Sequence, residues 1–410
     1  MMRRITGVGL AALTLAACSD RPPVTAPAAT EGTLPSASDS RKAGDSRAGA
    51  VFAMTNQPTG NAIVAFRRAS DGTLTPAGVF PTGGLGSGGG PDPLRSQGSL
   101  ILSGRGSSSH DDDSDDGHSD GNGARGKRLL FAVNAGSNEI SVFAVKGARL
   151  ELVGKAASGG VRPTSLTVHR DLLYVLHAGT GTINGFTVSR SGTLTPLAGS
   201  TRPITGGAAA DPAQVEFTPD GKLLVVTGKN TNVIDTYRID RRGRPSGPRA
   251  NTSHGMTPFG FAFDNRGTLV VSEAFGGAPN QSAMSSYTVS RDGVLNVVSG
   301  SVRDFQTAAC WVVITANGRY AYTSNTGSSS ISSYRLRSNG TLTLLESVAA
   351  TTDPGSAPID MALSRGSRYL YVLNGVTGTI NGFRVAADGG LSRVASAGGL
   401  PPNAQGIAAY

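Results

Sequence analysis

Apolar and polar residues alternate along nearly the whole chain from residue 50 onward, in short runs broken by glycine-bearing turns. This is the pattern of half-buried strands. The unit from 211 to 248 shows the plan. Val215 and Phe217 alternate with Gln214 and Glu216, Pro219-Asp220-Gly221-Lys222 supplies a hairpin turn, and Leu223 to Thr227 forms a second, more apolar strand. Val233 to Ile239 is the third strand, and Arg241-Arg242-Gly243-Arg244-Pro245 leads into a polar outer one. The same four-strand plan fits 161–199, 257–300, 308–348 and 357–398.

An aromatic residue recurs in the third strand of each unit: Phe66, Phe143, Phe186, Tyr237, Tyr287, Tyr334 and Phe383, at gaps of 77, 43, 51, 50, 47 and 49 residues. Two units share the string TGTINGF, at Thr180 to Phe186 and Thr377 to Phe383. Asp71-Gly72, Ser191-Gly192, Asp292-Gly293, Asn339-Gly340 and Asp388-Gly389 follow in equivalent places, where glycine tolerates the positive φ of a hairpin turn. Seven copies with a period near fifty predict an all-β, seven-bladed β-propeller of four-stranded blades, because one small sheet cannot bury both its faces without neighbours.

Residues 51 to 80 supply three strands but no inner one, whereas Asn403 to Ala409 match the inner-strand pattern with no blade behind them. The C-terminal strand is therefore expected to complete the first blade, pairing two open sheet edges. The long first gap reflects an insert at about 104–126, between an inner strand at Gly98 to Leu102 and a second strand at Lys127 to Val133. Asp112, Ser114, Asp116 and Gly117 loosely follow a calcium loop, but Gly123 stands where the bidentate Glu belongs. The Asp/Ser/Gly/His composition reads as a disordered segment, and no metal or other cofactor is expected.

The propeller pattern spans 49–410. Before it, Arg3 and Arg4 precede an apolar run from Ile5 to Ala17, and Leu15-Ala16-Ala17-Cys18 resembles a lipoprotein cleavage site. This predicts a signal peptide at 1–17, lipidation at Cys18 and a flexible Pro/Ala/Ser/Thr tether over 18–48. The expectation is an exported bacterial lipoprotein of the cell envelope, held on a membrane, with the outer membrane favoured by Ser19. Cys310 is the only other cysteine, so the domain is held by its core rather than by a disulfide. Net charge is +9, or +15 with the six insert aspartates set aside. Such a charge suits anionic ligands, lipopolysaccharide or membrane headgroups, but the arginines are scattered along the sequence, which reads rather as a solvated surface. No basic stripe interleaved with aromatics marks a nucleic-acid interface.

Ligands of propellers meet the central channel, which the inner strands surround. Aligning those strands places Gln97, Ser165, Gln214, Gly260, Trp311, Asp360 and Gln405 in one slot. The ends of the second strands align Asn56, Asn134, His177, Gly228 with Lys229, Glu273, Asn325 and Asn374. The asparagines there also suit a purely local capping role. The irregular members of a repeat are the better functional candidates. Gln97, Asn134, Gln214, Trp311 and Gln405 form the expected ligand-binding set, and Glu273, Asp360, His177 and Lys229 the candidate catalytic groups.

The phrases PAQVEFTPDGKLLVV, LLFAVNAGSNEISVF and YLYVLNGVTGTINGF resemble the seven-bladed lactonase family, which includes 6-phosphogluconolactonases and carboxymuconate-lactonizing enzymes. The resemblance covers about 50–410 and implies lactone chemistry through Pro-Arg-His on an inner strand, a Glu after the next strand and an Arg one blade later. Here those positions hold Pro212-Ala213-Gln214, the vicinity of Lys229, and that of Glu273. Lactone opening needs a base for water and a donor for the oxyanion, and Gln214 cannot be that base. The chain thus reads as a propeller binding a small polar, sugar-like ligand or a partner protein, with sugar-lactone hydrolysis through a rearranged site and a protein-interaction scaffold as alternatives.

Overall fold

A computed structural model describes residues 48–103 and 128–410 of the chain. The expected signal peptide, Cys18, all but the last residue of the expected tether, and the insert lie outside the described residues. Seven antiparallel sheets radiate from one axis, six of them built of sequence-consecutive strands. In blade 4, the strands run Pro212–Phe217, Leu223–Gly228, Val233–Ile239 and Pro245–Thr252 from the axis outward. Six sheets have four strands; in blade 3 the outer strand is split into Leu194–Pro196 and Arg202–Pro203.

Ring closure follows the expected route. Ile407–Ala409 pairs antiparallel with Gly49–Met54, so the C-terminus supplies the inner strand of blade 1. The insert likewise interrupts the hairpin between Leu100–Leu102 and Leu129–Asn134 of blade 2. Both strands are shorter at their N-terminal ends than the sequence pattern suggested.

The recurring aromatic has a structural reason. All seven copies are 0–2% exposed, wedged between sheets. In six blades the third and outer strands slip register at this residue, as between Ala65 and Phe66 or Gly382 and Phe383. Such bulges increase the twist of the outer strand, letting flat inner strands fan into blades.

The recurring turn glycine latches blade to blade. Tyr174 Oη donates to Gly243 O (2.6 Å), Thr236 Oγ1 to Gly293 O (2.7 Å), Ser286 Oγ to Gly340 O (2.7 Å), Tyr322 Oη to Gly389 O (2.8 Å) and Tyr371 Oη to Gly72 O (2.8 Å). Each acceptor belongs to the next blade, and the last latch crosses the closure. Gly72 has φ +92, and a Cβ there would lie 2.4 Å from the Tyr369 ring, so both conformation and contact require glycine.

Because strands alternate in direction, the disc has two distinct faces. The first-to-second and third-to-fourth strand turns lie on one, termed the lower face. The second-to-third turns and the connections between blades lie on the upper face.

Candidate functional site

The inner strands leave edge peptide groups around the axis, and the aligned slot stitches several of them to the neighbouring blade. Ser165 Oγ accepts from Val215 N (3.1 Å), Gln214 Oε1 accepts from Phe261 N (2.7 Å), and Asp360 Oδ2 accepts from Ile407 N (3.2 Å). Blade 5 has Gly260 in this slot and no side chain to reach blade 6. Gln97 supplies the missing bonds from across the channel: its Oε1 accepts from Val312 N (3.0 Å) and its Nε2 donates to Val312 O (2.8 Å). A Cβ on Gly260 would sit 2.2 Å from Gln97 Oε1, so the small residue and the spanning amide go together.

Three other predicted residues meet the chain's own segment Asp92–Gln97, part of the Gly/Pro-rich connection from blade 1 to blade 2, which closes the upper mouth. Gln405 Oε1 accepts from Leu94 N (2.6 Å), and its Nε2 donates to Asp92 Oδ1 (2.7 Å) and Ser96 O (3.0 Å). Trp311 donates its indole N–H to Ser96 O (3.1 Å), packs 5.0 Å from Phe259 and is 0% exposed, so no ring face is open to a ligand in this conformation. Lys229, also buried, donates to Arg95 O (2.6 Å), lies 3.5 Å from Asp211 Oδ2 and sits over the Phe259 ring. Arg95 pairs with Asp211 at 3.0 Å. Burial pushes the Asp92 carboxyl up to about 7, against the pull of Lys229 and Arg95.

The second-strand ends do not converge on the channel. Asn134 accepts from Asn61 Nδ2 (3.0 Å) and Thr82 Oγ1 (2.7 Å) and donates to Ser141 Oγ (2.7 Å); Asn325 and Asn374 make similar bonds to their own third strands. Glu273 takes the same place in blade 5 and accepts from Gly255 N (2.9 Å), Ser285 Oγ and Ser301 Oγ (2.6 Å), pointing outward along its sheet. His177 occupies that place in blade 3, and burial lowers its pKa to about 4. A fully buried imidazole is thereby held neutral at ordinary pH.

What remains open is the lower part of the channel, a cavity of about 300 Å³ reached from the lower face. Gln97 and Gln214 form its floor, and Glu216, Asp360, Arg128 and Arg365 contribute to its walls and rim. Glu216 is enclosed by protein yet shows part of its surface to the cavity. Burial pushes it up to about 8, opposed by the bond from Gln214 Nε2 (2.9 Å). Asp360 is likewise lifted by burial to about 8, with the N–H groups of Met361 and Ile407 pulling the other way and Asp92 adding to the rise.

Of the predicted catalytic groups, only Asp360 lines this cavity; Lys229 belongs to the upper closure, and His177 and Glu273 to blade interiors. Sequence reasoning missed Glu216, although alternation put it on the same strand face as Gln214, two residues along. Among the described residues, no group of three or more His, Cys, Asp or Glu is arranged to hold a metal ion.

The family model described as Lactonase, 7-bladed beta-propeller matches residues 101–293. No curated protein matches the chain. Among solved structures, a protein of Lactobacillus plantarum superposes with a TM-score of 0.65 at 17% identity, over 87% of this chain and 98% of its own. A Bacteroides fragilis protein provisionally described as a 6-phosphogluconolactonase gives 0.64 at 19%, covering 90% and 99%. The periplasmic gluconolactonase PpgL of Pseudomonas aeruginosa gives 0.64 at 17%, covering 88% and 98%. At these identities the superpositions speak for the fold.

Proposed function

Taking the chain as a lactonase-family seven-bladed β-propeller, we propose that it is an exported, lipid-anchored envelope protein that binds a small, hydroxyl-rich ligand in the lower channel. The observation carrying this reading is the pair of channel carboxyls, Glu216 and Asp360, both lifted to about 8. Protonated near neutral pH, each can donate as well as accept a hydrogen bond, which suits hydroxyl and ring oxygens of a sugar-like molecule. Gln97 and Gln214 bond neighbouring blades while forming the cavity floor, and the carboxyls and rim arginines add the charged part of the lining.

The same pair favours a second reading, sugar-lactone hydrolysis. A carboxylate whose pKa lies near the working pH is a competent general base for water. Arg128 or Arg365 would then be the cation nearest a developing oxyanion or an acidic substituent of the lactone. This route uses residues other than the family's Pro-Arg-His set.

Calorimetry and hydrolysis assays of the full chain against a panel of sugars and sugar lactones test both readings. Saturable binding weakened by Glu216→Gln, without turnover, supports the binding role. Turnover that disappears in Glu216→Gln while the ligand still binds supports the hydrolase. Neither binding nor turnover in the native protein overturns the channel as the working site.

A further inference from the structure

Arginines dispersed in sequence are gathered in space. The described residues contain twenty-eight Lys and Arg. Twenty of them lie in the lower-face turns or within two residues of those turns, against eight Asp and Glu, a surplus of twelve positive charges. The rest of the described domain carries eight basic and ten acidic residues. Topology explains the sorting: basic residues sit beside the Asp-Gly and Asn-Gly turns, and every such turn of an antiparallel blade comes to the same side of the disc.

Several acidic residues on this face also have structural partners. Asp71, Asp220, Asp240 and Asp264 each accept from the backbone N–H two residues ahead, holding their turns closed. Most of the arginines are at least partly exposed, Arg68 being the buried exception, bonded to the Tyr410 carbonyl. Arg266, Arg319, Arg335 and Arg337 line a groove of about 630 Å³ between blades 5 and 6, with Arg319 and Arg335 flanking the Tyr320 ring. Arg266 is held by Asp264 at 2.6 Å, whereas Arg319, Arg335 and Arg337 have no ion-pair partner among the described residues.

The chain also reaches the domain from this side. Gly49 begins the second strand of blade 1 opposite Arg68, next to Tyr410, and 47 residues precede the described domain. We propose that the lower face is a docking surface for a membrane bearing anionic headgroups, with the arginine groove receiving headgroup phosphates. Arginine is suited to this, because its planar guanidinium matches phosphate geometry and is weakly hydrated. An acyl chain on Cys18 would attach on the same side, supplying the second of the two signals that stable anchoring needs. The insert, whose flanks Ser103 and Arg128 lie on this face, carries six Asp and three basic residues by sequence, which leaves the surplus positive.

Co-sedimentation of the full chain carrying Cys18→Ser, which removes the lipid, separates charge from acylation. Vesicles of equal parts phosphatidylglycerol and phosphatidylcholine should bind at least about tenfold more protein than phosphatidylcholine alone, and about 1 M salt should abolish the difference. Arg319→Glu with Arg337→Glu should lower binding by about fivefold or more per cation removed. The Gln pair, kinder to folding, should do so more mildly, with the thermal melt confirming an intact domain. Arg303→Glu on the upper face should leave binding unchanged. Equal binding to both vesicles, no binding to either, or an equal loss from Arg303→Glu overturns the proposal.

Discussion

Removing residues 404 to 410 takes out the inner strand of blade 1 and reopens the ring. Ile407 and Ala408 are 4% and 6% exposed and Ala404 is fully buried. Their burial is worth about 3–5 kcal/mol together at about 25 cal/mol per Å². The backbone bonds Met54 N to Gly406 O, Gln405 N to Met54 O and Tyr410 N to Ala50 O, each 3.0 Å long, add about 1 kcal/mol apiece. The side-chain bonds from Gln405 and to Asp360 are lost as well, stranding the Leu94 N–H and a buried carboxyl. The total of about 7–10 kcal/mol rivals the whole stability of an ordinary domain, about 5–15 kcal/mol. Chemical denaturation followed by far-UV circular dichroism, with size-exclusion chromatography, should show a truncated chain that is expanded or associated and lacks a cooperative transition. The milder Ile407→Ala should cost about 2–4 kcal/mol while leaving a two-state unfolding curve. A truncated chain that melts cooperatively within a few degrees of the full one would refute the claim that closure holds the ring.

Three further outcomes are expected. Glu216, Asp360 and Asp92 have folded-state pKa values above their unfolded ones, so the stability they contribute is present below about pH 4 and declines as pH rises towards 8; Asp360→Asn should flatten that decline in melting temperatures recorded from acid to mildly alkaline pH. Gly260→Ala places a methyl against Gln97 Oε1 and the Cys310 carbonyl, and denaturant titration should register a loss of about 1–3 kcal/mol. Lys229→Met keeps the contact with Phe259 but removes the cation near Asp92 and Asp211, so hydrogen exchange should quicken across 92–97 while the blade cores stay protected.

The architecture was legible because its signals are local and repeated. An aromatic wedge, a positive-φ turn and strand alternation each recur seven times or nearly so, and each copy carries the same physics. The slot was legible as a set of equivalent inner-strand positions, yet the bonds its residues make were hidden. Whether Gln214 or Gln97 meets a ligand or a peptide edge depends on what stands one blade away, or across the axis opposite Gly260. The segment Asp92–Gln97 looks in sequence like a Gly/Pro-rich linker, and nothing in its composition says that Trp311, Gln405 and Lys229 converge on it. Face-by-face charge was concealed for the same reason: residues fifty positions apart along the chain become neighbours only when the disc closes.

The amide that spans the axis and the backbone segment above it make the channel a tube with one door. A molecule held on the floor would have to leave by the way it came before a second could take its place. That door also opens on the arginine-bearing side of the disc. If the protein rests on a charged bilayer as proposed, that door is shut, and seating on the membrane would compete with the exchange of any molecule in the channel.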